Sequence, residues 1–578
     1  MPRKGPSPDA ATLPSLAGFL ARRIVRQATG SAAVLLWRRP TATAPARILF
    51  APETLAEADP AVAADIYAGV FALAGEVVDV SGGSPFDTRP PSEAWARALH
   101  GFTWLHHLEA QATELSSSNA RALLDEWLGS AGSKSAVATA PDVTAERLVT
   151  WLVQSPLLLN GADPAFRQRF MRAVGRHMRR LERALVLAPR GPVRLRVAAA
   201  LALAGTITAD QQRVARMGLS ALEDALADEV LPDGGHASRS PEAIVETLAV
   251  LIPVREALIR RQQPVPRALG EAVDRMLTML RFFRHGDGGL AHFHGTGHVT
   301  APAVDAVLAY DDVRGTAPAN ARHSGYQRIE AGGTVVIADT GRAPPPAYAA
   351  AAAASALAFE MSHGGERLVV NCGALGRARA EWADAARATA AHSTLVVGDT
   401  SSARVLEGFP LESALGPVLH AGPRSVEVER GPLAFRAVHD GYREAFGLLH
   451  ERRLMLSEDG LWLEGEDRIV GQDRLDGVPF AVRFHLGAGL KVRLERSRRR
   501  ALLTLPDASL WVFGVDEGPP MAIEESVVLS APRRVRRTAQ IVVAGNSLTD
   551  PVVRWHIARN APPLAPADPD PRQPPDRP

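Results

Sequence analysis

The run SALAFEMSHGGERLVVNCG (355–373), followed after a polar gap by TAAHSTLVVGDTSS (389–402), decides the fold of this chain. Apolar segments flank a Gly-Gly turn. RLVVN (367–371) and TLVV (394–397) are short Val- and Leu-rich runs bounded by Gly, Asp and Ser, which is how strands read. Working outward, similar runs lie at TVVIAD (334–339), LAFRAV (433–438), LWLEG (461–465) and FAVRFHL (480–486). More follow at LLTL (502–505), LWVFGV (510–515) and AQIVVAG (539–545). Strands follow strands with no helical pattern between them, which predicts a large antiparallel β-sandwich after about Gly315.

Upstream the period changes. From about Pro60 to Tyr310 the sequence is rich in Ala, Leu and Arg at helical spacing, broken by short Gly, Pro or Asp turns. Met276, Leu277, Leu280 and Phe283 mark one face of a helix that the GDGG run at 286–289 stops. Pro192 opens another over 193–204. Further helices are expected at about 94–112, 118–129, 143–155, 164–186, 209–229, 241–260 and 265–284, suiting stacked antiparallel helix pairs. At 578 residues, two or more domains are required. The spans are 1–58, an N-terminal basic segment; 59–312, helical; 313–560, the β-sandwich; and 561–578, a Pro-rich tail with nothing to bury.

A formal net charge of +2 gives no case for a nucleic acid partner or a membrane surface. All the basic residues except Lys4, Lys134 and Lys491 are arginines. Cys372 is the single cysteine, which excludes an internal disulfide framework and a thiolate-rich zinc site. No apolar run approaches the roughly 18 residues of a transmembrane segment. Arg22, Arg23 and Arg26 precede the short apolar run 31–37, but Arg38, Arg39 and Pro40 follow at once, so this stretch reads as a basic amphipathic helix rather than an export signal.

The 355–402 stretch resembles the signature of the C-terminal β-sandwich of the heparinase II/III family of polysaccharide lyases, in which a buried strand, a VDPG-like turn and a TRAHNT-like turn occur in this order. The resemblance covers about 60–550. It implies an α+β multidomain protein, an incomplete α/α toroid followed by the antiparallel sandwich, with an acidic polysaccharide or oligosaccharide bound between them. It also implies a cell-envelope or periplasmic setting, with a cytoplasmic one as the alternative given this N-terminus. The implied chemistry is β-elimination from a uronate: a cation or amide neutralises the carboxylate, a Tyr or His takes the α proton, and an acid protonates the leaving oxygen.

Several family positions hold other residues here. The Asn-His pair that opens a toroid helix corresponds to Val193 and Arg194, so Arg194 is a candidate neutraliser. The segment that usually carries the catalytic tyrosine reads Asp233, Gly234, Gly235, His236, Ala237, Ser238, Arg239, Ser240, with no tyrosine. His236 becomes the candidate base or acid, Arg239 a second neutraliser, and Ser240 with Pro241 a helix cap. The family's HxHAD histidines correspond to Ala351 and Ala353, and its metal-binding aspartate to Asn371. Only His392 is kept, so no zinc and no other cofactor is predicted. Arg281, Arg284, His285 and His392 are candidate substrate contacts, and Trp104, near Trp95, a sugar-stacking surface. His292, His294 and His298 have HxH-like spacing but no accompanying carboxylate pattern. The favoured reading is a lyase with relocated catalysts acting on a uronate-containing polysaccharide, because the 233–240 and 281–289 turns concentrate more polar groups than folding requires; the alternatives are a degenerate lyase fold that binds or helps process an envelope or capsular polysaccharide, and hydrolysis by a carboxylate pair such as Asp233 and Asp287.

Overall fold

The computed structural model describes residues 40–559 except 54, 56–57, 81, 111–112, 189, 298, 312–314, 376–379, 407–417, 421, 472–476 and 532–533. The basic 22–37 stretch, His298 and the Pro-rich tail lie outside the described residues.

Helices dominate from Pro60 to Leu308 and strands from Asn320 to Arg559. The helix expected at 94–112 is interrupted. Phe102 adopts a left-handed φ of 63° that closes helix Glu93–Gly101, and a short helix, Leu105–Glu109, follows. Packing fixes this break, because the buried Phe102 ring stacks on Phe86 and Trp104. A hairpin, Val70–Leu73 with Glu76–Asp79, was not anticipated within the helical half. Helix Pro192–Ile207 is buried almost all round from Leu195 onward, between Pro141–Val153, Gln212–Glu229 and Pro241–Arg260. Its close approach to Gln212–Glu229 depends on Gly205 and Gly218, where an added Cβ would come within 2.3 Å of a facing backbone nitrogen in each case.

Most strands of the second half form two large antiparallel sheets, beside a small pair, Arg404–Leu406 with Val418–His420. One runs in the order Val426–Arg430, Ala434–His439, Leu448–Leu456, Trp462–Gly471, Val552–Arg559, Leu510–Glu517, Arg500–Thr504, Lys491–Leu494. The other runs Met521–Ala531, Arg534–Asn546, Pro479–Leu486, Glu366–Val370, Phe359–His363, Thr334–Asp339, Tyr326–Ala331, Asn320–Ala321, with Leu395–Val397 beside Pro479–Leu486. Side chains from both, among them Val336, Phe359, Phe484, Phe513 and Trp555, make the sandwich core.

Strand Thr334–Asp339 shows how the halves join. Every residue in it is buried. Val336 and Ala338 enter the sandwich core, whereas Val335 and Ile337 join the core of the helical domain. Alternation along the strand therefore puts one apolar set on each side, which explains the unbroken apolar run in the sequence. The nine-stranded sheet is thus the shared wall between the domains, and Asp339 at the end of this strand lies at their junction.

Candidate functional site at the domain junction

The turn at 233–240 is pinned to the sandwich by its own polar groups. Asp233 accepts from the backbone N–H of His323 and Ser324 at 2.8 and 2.7 Å, from Ser324 Oγ at 2.7 Å and from the N–H of Gly235 at 3.1 Å. Both its oxygens are committed to folding. His236 follows, buried, with Nδ1 accepting from the Ser238 N–H (3.1 Å). Its proton is therefore on Nε2, which faces Glu229 Oε2 at 3.3 Å. The ring of Tyr348 meets His236 edge-on with centroids 5.8 Å apart. Tyr348 has no local signal in the sequence, because it arrives from the sandwich side, 112 residues later, against the 233–240 turn. Burial, with Glu229 and Asp228 nearby, pushes its phenol up, away from the ionised form a base needs.

Arg239 is the link between the domains. It adopts a left-handed φ of 63°, unusual for a side chain of this size. Its guanidinium donates to the carbonyls of Ser324 (2.7 Å), Arg342 (2.8 Å) and Gly325 (3.1 Å) and pairs with Asp339. It lies 4.8 Å above the Tyr326 ring, whose hydroxyl donates to the Arg239 carbonyl. Gly341 gives it room, since a Cβ there would sit 2.3 Å from Nη2. Asp339 also accepts from Ser355 Oγ (2.6 Å) and the Gly341 N–H (3.0 Å). The Ala353 N–H donates to His294 Nδ1 (3.2 Å), and His294 Nε2 faces both Arg239 Nη1 (2.9 Å) and Asp339 (3.1 Å). Burial alone would raise the Asp339 carboxyl, but Arg239 and His294 overcome it and hold it below the ordinary carboxylate range. Every nitrogen of the Arg239 guanidinium thus has a partner within the protein, which commits the group to the junction rather than to a substrate carboxylate.

The other predicted contacts are drawn into the fold in the same way. Arg194 donates to the Leu185 carbonyl (2.8 Å), closing the preceding helix rather than facing a cleft. Arg281 pairs with Asp311, and Arg284 with Asp305 and the Gly288 carbonyl. His285 bonds Ser362 (2.8 Å) and lies 3.4 Å from the buried Glu360, and burial lowers it to about 4. His392 donates from Nδ1 to the Ala388 carbonyl (2.9 Å) and is likewise lowered to about 4 by burial. Trp104 is only 2% exposed, with Nε1 on the Leu99 carbonyl and its face on Phe102, so it is core and offers no sugar platform. Trp95 is wholly buried too.

The HxH spacing separates its members instead of pairing them. His294 serves Asp339, whereas His292 donates its backbone N–H to Glu360. Asp287 is held by Arg367 at 2.8 and 2.9 Å and by the Gly289 N–H. With Asp233 equally committed, the hydrolytic reading loses both of its carboxylates. Ser240 opens its helix as expected with Pro241 behind it, but its side chain makes no cap; Thr296 Oγ1 accepts from the Glu242 N–H instead. Of the two positions that the resemblance gives to the family's histidines, Ala351 is exposed and Ala353 is buried, its N–H on His294 Nδ1. Asn371 uses Oδ1 for the Ser393 N–H (2.9 Å), and among the described residues no three His, Cys, Asp or Glu side chains converge as metal ligands.

Comparison with known proteins places this architecture. The heparinase II/III-like C-terminal domain matches residues 313–557. "FtsZ-localized protein C" of Caulobacter vibrioides is 35% identical over 527 residues, spanning 87% of this chain and 88% of that protein. This chain belongs to the heparinase II/III-like family. Solved structures agree on the fold of this heparinase II/III-like protein, a toroid followed by a β-sandwich. A heparinase III crystal structure covers 95% of this chain and 91% of its own, at a TM-score of 0.67 and 12% identity. A heparan sulfate lyase HepC mutant from Pedobacter heparinus covers 94% and 89%, at 0.59 and 16%. At such identities the likeness concerns fold alone.

Proposed function

We propose that this protein is a heparinase II/III-like fold that recognises a polysaccharide of the cell envelope without performing elimination, and that it works where FtsZ assembles. The observation that carries this reading is the state of the cations and imidazoles at the junction. Arg194, Arg239, Arg281 and Arg284 are bonded to the protein's own carbonyls and carboxylates, and the positions that the resemblance gives to the family's histidines hold Ala351 and Ala353. Elimination needs a free cation or amide on the uronate and a base on the α proton. Neither is supplied by the residues predicted for those tasks. The division-site part of the proposal is supported by the Caulobacter relative, whose name places that protein with FtsZ.

A second reading, elimination by Tyr348 with His236, is favoured by their edge-on contact. The raised phenol counts against it. The test has two arms. A fluorescent fusion of the full chain should follow FtsZ in dividing cells, and purified protein should co-sediment with insoluble envelope polysaccharide. A diffuse fusion together with no sedimentation would reject the proposal.

A further inference from the structure

The outer face of the eight-stranded sheet, away from the helical domain, carries an aromatic pair that the junction does not use. Trp462 is 43% exposed, and its ring lies on that of His556, with centroids 4.4 Å apart and an interplanar angle of 13°. The pair is held rigidly. Asp516 bonds His556 Nδ1 at 2.8 Å, and the imidazole occupies space over Gly514, where a Cβ would come within 2.3 Å of it. The register puts Glu464 opposite His556 on one side and Gly514 on the other, so a carboxylate on the neighbouring strand flanks the rings. Met455 lies opposite Glu464, and Leu510 lies farther along the face; they are 38% and 49% exposed.

We propose that Trp462 and His556 form a platform for an uncharged pyranose ring, a glycan-binding site separate from the domain junction. A flat, half-exposed indole presents the apolar surface that stacks on the C–H face of a sugar. Glu464 and Asp516 accept hydrogen bonds from ring hydroxyls, and their charge repels a uronate or sulfate. A protein partner fits less well. Among the described residues, the exposed apolar side chains around the rings are Trp462, Met455 and Leu510, interrupted by Glu464 and Asp516, whereas the core of a stable protein interface is depleted of charged residues.

The experiment uses the full chain labelled with 5-fluorotryptophan. Its nine tryptophans give separate fluorine resonances, and Trp462→Phe identifies the one of interest. Cellohexaose, chitohexaose and a hexameric uronate are titrated in turn. The Trp462 resonance should shift with a neutral hexamer at a Kd of about 0.1–1 mM, and the other resonances should stay in place. Calorimetric titration of the same preparations with the neutral hexamer should show affinity falling roughly tenfold or more in Trp462→Ala and severalfold in Asp516→Asn, which releases His556. His236→Ala should leave it unchanged, which separates this site from the junction. The proposal is overturned if both neutral hexamers leave the resonance unmoved, if the uronate binds this face more tightly, or if Trp462→Ala retains full affinity. The unmoved resonances of the remaining tryptophans report that each variant is folded.

Discussion

Replacing Asp339 by asparagine keeps the shape of the side chain and removes the charge that balances Arg239. The guanidinium is 7% exposed and its other acceptors are neutral carbonyls. Breaking a buried pair by removing one partner costs about 3–5 kcal/mol, because the remaining charge stays desolvated. At about 1.4 kcal/mol per factor of ten, local opening of the junction should become roughly a hundredfold to several thousandfold more frequent. Hydrogen exchange reads this directly. Thr340 donates its N–H to the Gly325 carbonyl and Leu357 donates to the Asp339 carbonyl, so peptides covering 323–341 and 355–359 should lose protection in Asp339→Asn. The folded-state carboxyl is depressed, so its contribution is complete above the unfolded value of about 3.9 and is lost only as pH falls below it. The effect should therefore be the same at pH 7 and pH 5.5. In an Arg239→Met background the same change should cost far less, a coupling of at least about 2 kcal/mol. Additive effects in the double variant, or exchange altered less than about fivefold, would refute the reasoning.

Three further outcomes follow from the same structure. Burial holds His285 and His392 at about 4 and His485 at about 3, whereas unfolded imidazoles protonate near 6.5. Stability should be full above pH 6.5 and decline as pH falls toward 4, by about 1.4 kcal/mol per imidazole at pH 5.5, and a urea midpoint that stays flat between pH 7 and 5.5 would count against it. Trp104→Ala should destabilise by about 3–5 kcal/mol while the folded fraction binds glycan unchanged; selective loss of binding with intact stability would return Trp104 to the substrate. Arg194→Ala should cost about 1–2 kcal/mol through the lost carbonyl bond, with no change in glycan affinity, as judged by denaturation and co-sedimentation of the same preparations.

The order of the halves was legible because period and composition change near Gly315, and the strand runs correspond to observed strands from Thr334–Asp339 to Arg534–Asn546. Local signals failed where tertiary packing decides, as at Phe102, whose ring stacking breaks a helix that its neighbours would continue. The polar sites were half visible. His236, Arg239 and His285 stand in conspicuous turns, but their partners Glu229, Asp339 and Glu360 look like ordinary helix and strand residues. Arg239 and Asp339 are 100 positions apart, and nothing local tells a reader that the arginine is already satisfied. An acidic residue ending a wholly apolar strand, as in TVVIAD, was the available signal for Asp339. Tyr348 sits in an alanine-rich stretch whose contact with the 233–240 turn only the closure of the two domains creates.

The most direct measurement follows ultraviolet absorbance of unsaturated uronate ends while the purified full-length protein meets heparan, chondroitin, alginate, glucuronan and bacterial capsular polymers. The account predicts no rise above the protein-free rate with any of them, alongside retained binding to envelope polysaccharide. Turnover of any polymer that disappears in His236→Ala or Tyr348→Phe would contradict it and establish a lyase whose tyrosine is supplied from the sandwich side of the junction.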